Sequence, residues 1–282
     1  LSGSTKSGIF GKACPERFLN VGIAESNMVG MAAGLASVGK IPFVNTFTVF
    51  LTTLGLCAAR AFGSYSQLPI KFAGAYGGMS DAFDGPSHHA LEDIAVMRSL
   101  ANVQVFVPCD AVQTEWLVKY AIDTPKPIYL RLSRDKFKDL YTSETEFAPG
   151  KGIVVREGTD ITVIACGLMV GNAIDAAEEL AKEGISVRVV DMFSIKPIDE
   201  ALIVRCAKET GAIVSAEEHN IYGGLGSAVA EVLTKHGCGV TQGFVGVNDC
   251  HGECGPYKKL LAKYGLDANA IANKVRETLA KK

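Results

Sequence analysis

"IPFVNTF", residues 41–47, is a short apolar run with a proline near its start, and whether it is a strand or part of a helix decides the fold. The pattern around it favours a strand. Runs of similar length follow at "PIKFAGA" (69–75), "VQVFVP" (103–108) and "PIYLRL" (127–132), each bounded by turn residues, with amphipathic stretches of helical spacing between them. Short buried strands alternating with helices build a mostly parallel sheet covered on both faces. After Leu140 the pattern dissolves into the polar "YTSETEFAPGKG" (141–152), then resumes with "GIVVREG", "ITVIACG", "VRVVDMF" and "AIVSAEE". The reading is an α/β chain of two domains, residues 1–143 and 144–282, each a mostly parallel sheet flanked by helices. Its opening, "LSGSTKSGIFG", lacks the strand and crossover helix that usually begin such a sheet, so the expectation is that an N-terminal strand and helix are missing.

Composition narrows the function. A formal net charge of −2 provides no basic field for nucleic acid. No apolar run approaches the roughly 18 residues of a membrane span, and the first residues lack a signal peptide's apolar core. The expectation is a soluble, cytoplasmic protein acting on small molecules. The 8 cysteines are scattered, several inside strand-like runs, and read as reduced core residues. Cys250, His251 and Cys254 lack the second half of a zinc motif, so no metal site is expected from this chain.

Several stretches carry candidate chemistry. "GSTKSGIFGK" fails as a phosphate loop because Ile9 stands where lysine is required. "YGGLGSA" (222–228) could present backbone amides to an anion or be a structural turn, and the turn is the better reading. Glu25 begins a helix of small and apolar residues; it is either buried, and then neutral or paired, or exposed and favourable to the helix dipole. Phe47 and Phe50 lie at the end of the first strand, the sheet edge where ligands bind, and two such rings can hold a flat heteroaromatic group. Arg131 and Arg134 close the fourth run at the same edge, suited to phosphate or to surface ion pairs with Asp135 or Asp139. "FDGPSHHALED" (83–93) places Asp84, His88 and His89 on one rigid Gly-Pro turn.

In this order and spacing, "GIAESNM", "TFTVF", "DGPSHH" and "LSRD" resemble the pyrimidine-binding and C-terminal domains of transketolase over essentially the whole chain. The resemblance implies that Glu25 contacts the aminopyrimidine N1′ of thiamine diphosphate and drives the cofactor's activation. It implies that Phe47 and Phe50 line the pyrimidine pocket, with Thr53 at a third position usually filled by a large residue. Asp84 and His88 would meet the donor sugar's hydroxyls, and Arg134, with Ser7 at the loosely matching start, its phosphate. His89 has no family role and reads as a satisfied structural histidine. A phosphate-contacting histidine of many transketolases is replaced here by Tyr76.

The GDG motif that holds the cofactor's diphosphate through Mg²⁺ in thiamine enzymes does not occur in the chain. The resemblance is therefore to the C-terminal subunit of a split transketolase, active with an N-terminal diphosphate-binding subunit, self-associating as a heterotetramer and exchanging ketol units between phosphorylated sugars. The alternatives are a 1-deoxyxylulose-5-phosphate synthase-like enzyme, a 2-oxoacid dehydrogenase β subunit, or a catalytically idle scaffold.

Overall fold

The protein's structure, a computed structural model, describes residues 3–282 and contains two five-stranded sheets. In the first, β1 (Phe43–Phe47), β2 (Lys71–Ala75), β4 (Ile128–Arg131) and β3 (Gln104–Phe106) are adjacent in that order and parallel. Its fifth strand is β8 (Ser194–Lys196), which crosses from the second half of the chain to pair antiparallel with β3. The second sheet runs β10 (Thr241–Val247), β9 (Ala212–Asn220), β6 (Ile161–Ala165), β7 (Val187–Asp191) and β5 (Ile153–Arg156), parallel except for β5 at its edge. The mostly parallel α/β reading is correct. The sequence did not betray β8 or β10: one has three residues, and the other, "TQGFVGV", is interrupted by two glycines.

Helices α1 (Gly8–Ala13), α2 (Glu25–Ser37), α3 (Thr48–Thr52), α4 (Leu56–Ala58), α5 (Asp93–Ser99) and α6 (Ala111–Asp123) belong to the first half, where a π-helical segment, Ala59–Tyr65, follows α4. The second half has α7 (Leu168–Ala181), α8 (Glu200–Thr210), α9 (Leu225–Lys235), α10 (Tyr257–Lys263) and α11 (Ala268–Leu279). Along α2, Val29, Ala32, Ala33 and Ala36 form one buried stripe whose small side chains allow close approach to the sheet. Asp110, Asp199 and Asp267 cap α6, α8 and α11 by accepting from the amides of Gln113, Leu202 and Ala270. Lys71, the first residue of β2, is fully buried because its ammonium donates to the carbonyls of Thr124 (2.8 Å) and Lys126 (2.6 Å) just beyond α6. Desolvation lowers its pKa to about 8.

The two halves meet around Arg131, the last residue of β4. Its guanidinium is buried, with Nε 2.7 Å and Nη2 3.2 Å from the two oxygens of Asp93, and Nη2 also donates to the Glu218 carbonyl at 2.8 Å. Tyr129 donates to the same carboxylate at 2.6 Å. Glu218, at the end of β9, accepts from the Met79 amide at 2.8 Å, and burial pushes its carboxyl up to about 7. Arg131 is thus committed inside the molecule, not to Asp135, Asp139 or a phosphate. Of the cysteines, Cys109, Cys166 and Cys206 are core residues; Cys57, Cys250 and Cys254 are exposed, contrary to a uniformly buried reading, and none is paired.

Replacing Arg131 by Met should leave Asp93 charged, buried and without its cation, lowering stability by about 3–5 kcal/mol in urea denaturation. Glu218 gives a pH signature. Its folded pKa of about 7 exceeds the ordinary 4.5, so the native state holds this proton more tightly and the group's contribution to stability falls as pH rises from 4.5 to 7. Glu218→Gln should flatten the stability profile over that window; an unchanged slope would show that Glu218 does not govern it.

Candidate functional site

The carboxyl ends of β1, β2 and β4 converge on one edge of the first sheet, and α2 begins there too. Glu25 is the first residue of α2 and only 4% exposed, so the exposed-helix-start reading is ruled out. Its Oε1 accepts a hydrogen bond from Thr46 Oγ1, on β1, at 3.1 Å. Thr46 is followed by Phe47, the first ring of an aromatic wall. Phe47 and Phe50 have ring centroids 6.0 Å apart, and His88 presents its ring edge-on to both, at 5.8 and 5.2 Å. Thr53 contributes nothing to this wall, since it is exposed and its hydroxyl turns back to the Val49 carbonyl. Tyr76 supplies the missing ring, stacking on Phe47 at 4.9 Å. That role was readable: Tyr76 directly follows Ala75, which pairs in register with Phe47.

The segment from Tyr76 to Ala90 is a loop closed at its neck by two hydrogen bonds between Gly78 and Ala90, of 3.0 and 2.9 Å. At its tip the Asp81 carbonyl accepts from the amides of Asp84 (3.2 Å) and Gly85 (3.3 Å), which leaves Asp84 exposed and His88 half-buried beside the aromatic wall. Ser87 Oγ lies 3.0 Å from His88 Nδ1. Tyr76 itself has φ +64°, the left-handed region that a bulky residue occupies only when its surroundings hold it there. One of its constraints is a hydrogen bond from its hydroxyl to the Ser4 carbonyl.

Arg134 reaches this edge from beyond β4, its guanidinium 5.0 Å from the Tyr76 ring centroid and its Nη1 2.5 Å from Asp81 Oδ1. Asp81, fully buried, is the residue that motif reasoning passed over. Burial and the nearby Asp84 raise its pKa, against the opposing pull of Arg134. Phe47, Phe50, His88, Tyr76 and Arg134 therefore form one continuous set, with Glu25 joined to it through Thr46 and Asp84 through the turn. Ser7 is not drawn in; its hydroxyl lies 3.1 Å from that of Thr5.

His89 is buried but poorly satisfied: neither ring nitrogen has a partner of good hydrogen-bond geometry, and desolvation with the neighbouring His88 lowers its pKa against the opposing pull of the Asp81 backbone. Gly252, from the loop before α10, packs so closely over it that a Cβ there would stand 2.5 Å from His89 Nδ1. Cys254 Sγ presses on Gly85 in the same way, with a Cβ at Gly85 only 2.3 Å from the sulfur. The Gly-rich turn before α9 is structural, because the Leu225 and Gly226 amides are taken by the carboxylate of Glu217 at 2.7 and 2.8 Å. Among the described residues no group of three or more His, Cys, Asp or Glu could hold a metal ion. The rings of Phe47, Phe50 and Tyr76 with His88 offer a flat aromatic surface, and the polar groups of Glu25, Asp84 and Arg134 lie on the elements around it.

Comparison with known proteins matches most of the chain to one family. Residues 1–139 match the pyrimidine-binding domain of transketolase and residues 150–271 match the transketolase C-terminal domain. A putative transketolase C-terminal section from Methanocaldococcus jannaschii is 40% identical, over 100% of this chain and 89% of that protein. A 6-deoxy-6-sulfo-D-fructose transketolase subunit from a Clostridium species is 38% identical, over 97% of this chain and 84% of that one. Among solved structures, the inactive β4 tetramer of a split-gene transketolase superposes with a TM-score of 0.90 at 48% identity, covering 99% of this chain and 89% of that one.

The packing of Gly252 on His89 is testable by a double-mutant cycle. Gly252→Ala should destabilise by forcing the histidine ring aside, and adding His89→Ala should cost less than the sum of the two single changes. Additive losses in thermal unfolding would show that the two residues do not press on each other.

Proposed function

Because the chain belongs to the transketolase family, we propose that it is the pyrimidine-side subunit of a two-subunit transketolase, moving a two-carbon ketol unit from a ketose phosphate to an aldose phosphate. The observation that carries this reading is the buried Glu25 carboxyl together with the Phe47, Phe50 and Tyr76 wall, in a chain whose described residues offer no metal-holding group. Such a half-site suits the aminopyrimidine of thiamine diphosphate, with the diphosphate and Mg²⁺ held mainly by a partner subunit. Thiamine diphosphate, when bound, supplies the nucleophilic carbon that breaks the ketose C2–C3 bond and retains the two-carbon unit.

Glu25, kept from water, holds a hydrogen bond at the pyrimidine ring nitrogen, and Phe47 and Phe50 fix the plane of the ring. Asp84 and His88 orient the sugar through its hydroxyls, from a turn rigid enough to keep them in one geometry. Arg134 anchors the anionic tail of the substrate. Ser7 has a part in this only if substrate or partner redirects its hydroxyl from Thr5. The exposed apolar residues Ile9, Phe10, Leu19 and Ile23, the last 79% exposed, precede Glu25 in the sequence and suit contact with such a partner. The assembly is proposed as a heterotetramer, and the unpaired cysteines fit a reducing cytoplasm where pentose phosphates are interconverted.

Calorimetric titration with thiamine diphosphate and Mg²⁺ is expected to detect binding only when a diphosphate-domain subunit from the same organism is added. That mixture should transfer a ketol unit from xylulose 5-phosphate, and Glu25→Gln should lower kcat at least a hundredfold while the subunits still assemble. Tight stoichiometric binding by the lone chain, or full activity of the glutamine variant, overturns the reading.

A further inference from the structure

Arg134 does not stand alone at its end of the site. One edge of its guanidinium, Nη1, is taken by Asp81 Oδ1 at 2.5 Å; the other edge, Nε and Nη2, makes no hydrogen bond among the described residues and faces outward on a side chain half exposed. Asp81 is fully buried, and its second oxygen, Oδ2, has no partner. Its backbone carbonyl accepts from the turn it sits on, and its side chain also interacts with the Asp84 carboxyl on that turn. Asp84 adds a second carboxylate on the same turn, and the aromatic Tyr76, not another cation, lies under the guanidinium.

We propose that Asp81 is a specificity-determining residue that lowers the preference of the tail end of the sugar site for a doubly charged oxyanion relative to a singly charged one. This rests on the placement of Arg134 at the substrate's tail. A buried carboxylate is little screened by salt, so its field acts on any anion gripped by the open edge of the same guanidinium. Asp81 has two effects with different dependence on ligand charge. By fixing the fork of Arg134 it helps every oxyanion alike, whether phosphate or sulfonate. By opposing the ligand's charge it penalises a dianion about twice as strongly as a monoanion. The ratio of the two activities thus cancels the positioning effect and isolates the charge effect.

The test uses the complete two-subunit enzyme and two ketoses of the same carbon skeleton, one ending in a phosphate ester and one in a sulfonate, at pH 8, where the ester is doubly charged (second pKa about 6). The readout is kcat/KM for the phosphate donor divided by that for the sulfonate donor. Asp81→Asn should raise this ratio about tenfold relative to wild type, even if both activities fall, whereas Asp81→Glu, which keeps the charge, should leave it within twofold. A ratio unchanged or lowered in Asp81→Asn overturns the proposal and reduces Asp81 to a structural role. If the asparagine variant does not assemble, Asp81→Ser makes the same comparison. Arg134→Met separates the two readings: loss of activity on both donors supports the tail anchor whatever Asp81 does, and unchanged activity on both removes the anchor and the present proposal with it.

Discussion

A guanidinium inside a protein is tolerated only when its charge and its donors are answered, and Arg131 imposes that demand at the junction of the two halves. Asp93 answers the charge, from the start of α5, and the Glu218 carbonyl answers a remaining donor, from the end of β9. These groups come from a strand, a helix and a strand of the other sheet, so satisfying one side chain fixes the relative placement of three elements. Tyr129 adds its hydroxyl to Asp93, so two residues of β4 hold the same carboxylate. The loop bearing the candidate substrate residues begins one strand away, and its Met79 amide is bound by the side chain of that same Glu218. The position of Asp84 and His88 thus follows from how a buried charge in the next strand is neutralised.

What the sequence disclosed was periodic or local. Four runs of alternating composition became β1, β2, β3 and β4, and the four later ones became β5, β6, β7 and β9, because burial on both faces of a parallel sheet writes itself into consecutive residues. Glu25, Phe47, Phe50 and His88 were also legible, lying in short motifs whose residues stay together in space. Partnerships formed across the chain were not. Glu218 and Met79 are separated by 139 positions, and nothing about "AEEH" says which of its acids will face an amide of a distant loop. Both readings of Arg131, a phosphate contact or a surface pair with Asp135 or Asp139, went astray for this reason: its partner Asp93 is distant in sequence and returns to the sheet edge.

His89 and Asp81 show a second limit. Sequence gives a residue's identity but not the number of its polar atoms that find partners, and in both residues burial outruns satisfaction. Burying an unanswered polar atom costs free energy, so such atoms do not persist by packing alone. For His89 the closure comes from outside its own domain, where the absence of a side chain at Gly252 lets a loop settle onto the ring. For Asp81 the cationic partner is an arginine that is itself half exposed, which makes that pair a surface-facing device with a buried root.

Three glycine contacts bear on where such a chain can be divided. Gly78 lies against the Glu218 carboxyl, Gly85 against Cys254 and Gly252 against His89, and at each a Cβ would stand no more than 2.5 Å from the atom opposite. All three join the loop of Asp84 and His88 to the second half. With β8 extending the first sheet and Arg131 spanning the joint, the second half is part of the scaffold that shapes the loop. Separating the two halves would take the Glu218 carbonyl from Arg131 and strip the packing from the back of the turn that carries Asp84 and His88.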